Sequence, residues 1–147
     1  MTLKIKNSYI QGLLTIMNHA GICCGKSRMR GRFNKPLIAR MDENEKHRQE
    51  MLVDLADKDE NGKAKTEEFE DEEGENKRRY VVTPENLTKF QDQYKEMMNE
   101  DFVIDITESN KAEYEQAKDL VLNSTMEFKG GDDALYNVLC EAFEVTE

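Results

Sequence analysis

Apolar residues recur with a helical period from Asn7 to Ala56, and that period constrains the fold more than any other feature of the chain. After Asn7, a good N-cap, Ile10, Leu13, Leu14, Met17 and Ala20 fall at i, i+3, i+4, i+7 and i+10. They share one face of a helix that Gly21 ends. Ser27 caps a second helix, with Met29, Phe33 and Leu37 on one side and Arg28, Arg32 and Lys35 on another. Pro36 either kinks this helix or stands in the first turn of a fresh one capped by Asn34. The pattern continues through Met41, Leu52 and Leu55 to about Ala56, thinly apolar in its middle. A long helix of that kind projects or pairs with another as a hairpin.

The remainder is punctuated by short strands and further helices. Leu3-Lys4-Ile5-Lys6 alternates as a strand does, and strands are expected near 3–6, 79–82 and 102–106. Thr83-Pro84-Glu85 starts a helix with Leu87, Phe90, Tyr94, Met97 and Met98 on its apolar face. Two more helices are expected, over roughly 109–123 (Tyr114, Ala117, Leu120, Val121) and 132–144 (Leu135, Val138, Leu139, Ala142, Phe143). Residues 57–79 are dominated by Glu, Asp, Lys, Asn and Gly and read as a flexible acidic loop. No internal repeat stands out. The expected fold is mostly α with a small β-sheet (α+β), a helical hairpin with a long, kinked second helix, in a single domain spanning 1–147.

Charge is divided sharply along the chain. Residues 1–41 carry eight basic residues and no acidic one, whereas residues 42–147 hold all 31 acids and 13 bases, a net of −18. Such asymmetry implies either an intramolecular match or two faces meant for different partners. No run approaches the roughly 18 apolar residues of a membrane span, and the N-terminus lacks the apolar core of a secretory signal. Cys23 and Cys24 are adjacent and Cys140 is remote, which is no disulfide framework; reduced thiols in a cytoplasm are the economical reading.

Three motifs suggest chemistry. Asp57, Asp59, Asn61, Lys63 and Glu68 fit every position of the calcium loop D-x-[DN]-x-[DN]-G-x₅-E, with Gly62 at the sharp turn. Against calcium stand a poor exiting helix after Glu68, Ala64 where a branched apolar residue pairs with a second hand, and the lack of any second loop. Ala20–Ser27 fits the looser phosphate loop [AG]-x₄-G-K-[ST], with Phe102–Asp105 as an imitation of its magnesium-holding partner. Yet an amphipathic helix precedes it where the chemistry needs a buried strand. His19, Cys23 and Cys24 lack the spacing of a metal cluster, as do His47 and Cys140. Two histidines do not assemble a nucleophilic triad. The expectation is a protein that is not an enzyme and needs no cofactor.

The most distinctive stretch is GKSRMRGRF, which with Lys35 just beyond it puts Lys26, Arg28, Arg32 and Lys35 forward as partner-binding residues. Overall acidity argues against free-standing nucleic-acid binding, so the partner expected is a protein. Together with LKIKNSYIQG, ADKDENGK and NEDFVIDIT, this stretch resembles a family of small proteins of unknown function encoded by tailed phages and prophages of Gram-positive bacteria. The similarity covers nearly the whole chain, most specifically 3–40 and 94–107. The resemblance implies an acidic middle loop not built for calcium, and a setting in the bacterial host cytoplasm or within the virion. Pro36 and the Cys23-Cys24 pair depart from the family pattern and put the continuity of the second helix in question. Two functions follow as expectations: a self-associating assembly or structural accessory of the tail module, or an inhibitor of a host defence protein whose acidic residues 57–75 imitate nucleic acid.

Overall fold

The computed structural model describes residues 1–144. Its element order is β1 (Thr2–Lys6), a 3-10 turn (Asn7–Tyr9), α1 (Ile10–His19), α2 (Cys24–Leu55), β2 (Thr66–Glu70), β3 (Asn76–Tyr80), α3 (Pro84–Asn99), β4 (Asp101–Asp105), α4 (Lys111–Leu122) and α5 (Gly131–Glu144). The protein is mostly helical with two small antiparallel sheets, β1–β4 and β2–β3. The chain forms two compact units: Met1–Asp42 with the chain from Met98 onward, and Glu43–Met97. The boundary crosses the interior of α2, so no linker composition marks it.

In the first unit, period-two alternation sends Leu3 and Ile5 inward while Lys4 and Lys6 face out. β4 pairs with β1 in the register Leu3↔Ile104 and Ile5↔Phe102. The Asn7 N–H donates to Glu100 O (3.0 Å) and the Ile106 N–H to Met1 O (2.8 Å), extending the ladder at both ends. Ile10, Leu13 and Met17 of α1 are fully buried with Leu37 of α2, Tyr114 and Val121 of α4, and Leu139 and Phe143 of α5. The Phe143 ring stacks on Tyr114 at 5.7 Å, and the Tyr114 hydroxyl donates to Phe143 O (3.2 Å). A Cβ at Gly12 would come within 2.4 Å of the Leu135 side chain, which would have to shift to admit it.

The second helix is long, as expected, but starts earlier than Ser27. It begins at Cys24, three residues before Ser27, whose N–H closes the first turn on Cys23 O (3.4 Å). It also runs through Pro36 as one helix. Asn34 starts no new helix; it is buried and donates its amide to Asn18 Oδ1 (3.1 Å). Proline in a helix interior costs about 3 kcal/mol, a loss that burial of Phe33 and Leu37 on either side offsets at about 1.5–3 kcal/mol each.

In the second unit, the end of α2 pairs with α3 in antiparallel fashion. The Asn86 amide donates to Leu55 O (3.0 Å). Along α2, Asn34, Leu37, Met41, Asn44, Arg48, Met51 and Leu55 alternate steps of three and four, the spacing of a coiled-coil seam. Asn44 is a buried polar member of that seam, and its Oδ1 finds no donor among the described residues. α3 is capped where the Asn86 N–H meets Thr83 Oγ1 (3.3 Å).

Between these helices, the stretch 57–79 read as a loop is largely a β-hairpin. Oppositely charged side chains face each other across it: Glu67↔Arg79, Glu68↔Arg78. The Arg79–Glu67 pair closes at 2.8 Å, Arg78–Glu68 at 3.6 Å, and Asp71 meets Lys77 at 2.7 Å. The Arg79 guanidinium also lies 4.8 Å over the Phe69 ring. Cross-strand charge pairs of this kind hold a ladder that β-propensity alone would not. Three backbone bonds then lock its base into a ring: Asp57 N–H to Val81 O, Val81 N–H to Lys65 O, and Lys65 N–H to Asp57 O.

Candidate interaction surfaces

The calcium-like pattern is a hairpin turn used twice. In the first turn, Asp59 Oδ1 accepts from the Asn61 and Lys63 N–H groups at 2.8 and 2.9 Å. The Asp59 carbonyl accepts from Gly62, and the Asp59 N–H returns to Lys63 O. In the second turn, twelve positions on, Asp71 Oδ1 accepts from Glu73 and Glu75 at 3.0 and 2.8 Å, with the same two backbone bonds to Gly74 and Glu75. Gly62 and Gly74 both take positive φ, 75° and 81°. DENGK and DEEGE are therefore a short structural repeat that went unnoticed at the sequence level. An aspartate that bonds its own turn, followed three residues later by a left-handed glycine, is what a bulged type I hairpin needs.

A D-x-N-G segment satisfies that turn and the calcium loop equally well. Here the Asp59 carboxylate bonds backbone amides, and Glu68 lies in β2 facing Arg78. Asp57 is tied through its backbone to Val81 and Lys65, and Asn61 and Lys63 are exposed turn residues. The structure does not gather the five residues around one point, and no cluster of three or more His, Cys, Asp or Glu side chains suited to a metal ion occurs among the described residues. Lys77, more than the turn amides, holds the Asp71 carboxyl below the usual carboxylate range.

The phosphate-loop pattern has no strand before it. Ala20 follows α1, and Cys24–Ser27 already belong to α2. Cys24 takes a left-handed φ of 55°, and both Cys23 and Cys24 are exposed.

The basic residues of GKSRMRGRF separate into three roles. At about 100° per residue, Arg28, Arg32 and Lys35 fall within one narrow arc of α2, and Lys26 lies about 200° round from Arg28. Lys26 thus stands off the stripe, and its carbonyl accepts from Gln116 of α4 (2.8 Å). Arg28 and Lys35 are exposed and make no ion pair among the described residues, while Arg32 meets Glu113 at 3.4 Å. Arg30, absent from the expected binding set, does structural work. Its guanidinium donates to Met17 O (3.0 Å) and Ala20 O (2.7 Å), closing the C-terminal carbonyls of α1. The signal was present, since Arg30 falls within the arc of Phe33 and Leu37. Arg40 is likewise internal, bonding Asn7 Oδ1 (2.9 Å), reaching Glu100 (3.4 Å) and lying 5.8 Å over the Phe102 ring.

The exposed arc continues past the charges. Gly31, Ile38 and Ala39 border it, and Ile38 is 48% exposed. In the Glu43–Met97 unit, a groove of about 660 Å³ runs over Leu52, Tyr80, Val81, Val82 and Leu87, with Arg48, Arg78 and Arg79 among its lining residues. Each of these arginines already faces a carboxylate, Arg48 bonding Glu45 through two contacts of 2.8 and 2.7 Å. Arg48, followed by Gln49, draws the Glu45 pKa down to about 2. No helix among the described residues is long and apolar enough to cross a membrane.

No protein-family model matches the chain, no curated protein is significantly similar to it, and no solved structure matches it.

Proposed function

We propose that this chain is a non-enzymatic accessory protein of a tailed phage that works by binding protein, in assembly or structure of the tail module. The single observation that carries the reading is the outer arc of α2 in the first unit. It presents Arg28 and Lys35, which have no ion-pair partner among the described residues, beside an exposed Ile38, on the side away from Phe33 and Leu37, which pack into the core. Charge with adjoining apolar surface on a rigid helix is suited to steering and then holding a protein partner. The phage setting, in the host cytoplasm or the particle, rests on the resemblance of residues 3–40 and 94–107.

A second reading has its own observation. The acids of 57–75 stand on an ordered hairpin with a repeated turn, which suits imitation of nucleic acid by a defence inhibitor better than a loop would. Against it, cross-strand cations neutralise Glu67, Glu68 and Asp71. Affinity capture from infected cells separates the two. With Arg28→Glu/Lys35→Glu, the tail-assembly reading expects loss of a phage structural protein. Capture of a host nuclease or its guide complex, lost instead on Glu72→Lys/Glu73→Lys, would replace it with the inhibitor reading.

A further inference from the structure

Resting on the reading that the outer arc of α2 is a binding surface, we propose that one occupant of that surface is a second copy of this chain, presenting the acidic turn of its β2–β3 hairpin. Charge bookkeeping within each element leads there. The hairpin's three cations are all matched, Lys77 to Asp71, Arg78 to Glu68 and Arg79 to Glu67. That leaves Glu70, Glu72, Glu73 and Glu75 around one turn with no ion pair among the described residues. On the outer arc of α2, Arg28 and Lys35 are exposed and make no ion pair among the described residues, and their charge is of opposite sign. Each chain therefore carries both halves of a complementary contact.

Gly31 supports a close approach to the same arc. It lies inside α2, exposed, and a Cβ there would meet nothing within 4 Å. Glycine weakens a helix interior by entropy and by exposing backbone, and no contact within the chain requires it. Gly12 differs, since Leu135 fills the space of its missing side chain. A turn with bulky glutamates can sit against the bare backbone at Gly31 with Arg28 and Lys35 to either side and Ile38 at the rim.

The experiment is sedimentation of the full chain with a complementation arm. Wild type should associate at low salt and dissociate at about 1 M salt, where the screening length falls to about 3 Å. Arg28→Glu/Lys35→Glu makes the two surfaces alike in sign, Glu72→Lys/Glu73→Lys cancels the unmatched charge of the turn, and each alone should weaken association about tenfold or more. Mixing the two variants restores opposite signs across the contact and should restore association, while circular dichroism of each stays that of wild type. A wild type that is monomeric at low salt overturns the second-copy occupant, as does either variant associating normally or a mixture that stays apart. If such a monomer still captures a protein that Arg28→Glu/Lys35→Glu loses, the binding-surface reading stands without this occupant. Binding of a short DNA duplex, lost in the same variant, would make the occupant nucleic acid and overturn both.

Discussion

Replacing Arg30 by alanine should destabilise the fold far more than the same change at Arg28 two residues earlier. The Arg30 guanidinium is partly buried and donates to Met17 O at 3.0 Å and Ala20 O at 2.7 Å. Hydrogen bonds from a charged donor contribute about 1.5–3 kcal/mol each. They share one side chain here, and water reaches part of the site, so the pair is worth about 2–3 kcal/mol together. For a chain of this length, each kcal/mol moves the melting temperature by about 2–4 °C, which gives a drop of about 4–12 °C. Arg30→Lys keeps the charge but not the fork, and should fall between. Arg28 has no partner among the described residues, so Arg28→Ala should stay within about 0.5 kcal/mol of wild type. Thermal and urea melts followed by circular dichroism read all three. Equal losses at 28 and 30, or no loss at 30, would refute the division of this stretch into structural and binding arginines.

The two glycines should respond in opposite directions: Gly31→Ala raises stability by about 0.5–1 kcal/mol, since the site is open helix, whereas Gly12→Ala lowers it by about 1–3 kcal/mol against Leu135. Urea midpoints decide both. Calorimetry should show no saturable calcium heat at micromolar levels, because Asp59 bonds its own turn; a heat that disappears in Asp57→Ala would restore the calcium site. Glu45 titrates lower in the fold (about 2) than in the unfolded chain (4.5), so its pairing with Arg48 stabilises above pH 4.5 and is lost as pH falls through about 2. The pair is mostly exposed, so Glu45→Gln should cost only about 0.5 kcal/mol at neutral pH, and the difference should vanish near pH 2 in paired acid-denaturation curves.

Elements held by apolar burial were legible in the sequence. The period-3.6 runs of α1, α4 and α5 placed Ile10, Leu13, Met17, Tyr114, Val121 and Leu139 inside correctly, because burial there follows spacing, and β1 was legible from alternation and β4 from β-branched content. Of the β2–β3 hairpin only the end of β3 was legible, in the strand expected near 79–82; the rest is stabilised by Glu–Arg pairs across the ladder and by turns, features that a reading of hydrophobic pattern scores as loop. The turn chemistry was visible but ambiguous: Asp59-x-Asn61-Gly62 serves a bulged turn or a cation loop, and its echo at Asp71-x-x-Gly74 was the clue to the turn. α2 carries the chain across the boundary between the two units as continuous helix, so the polar run from Asp42 to Glu50 reads as helix surface and not as a linker. Within the candidate surface, Arg28, Arg32 and Lys35 hold together as expected from their spacing, while Lys26 leaves the arc by the same geometry.

The arc's role as a contact surface is tested most directly by amine footprinting of Lys35, comparing the free protein with the complex recovered from infected cells. Lys129, also exposed, serves as the reference. The account predicts that Lys35 is labelled several-fold more slowly in the complex while Lys129 is unchanged; equal labelling of Lys35 in both states would contradict it.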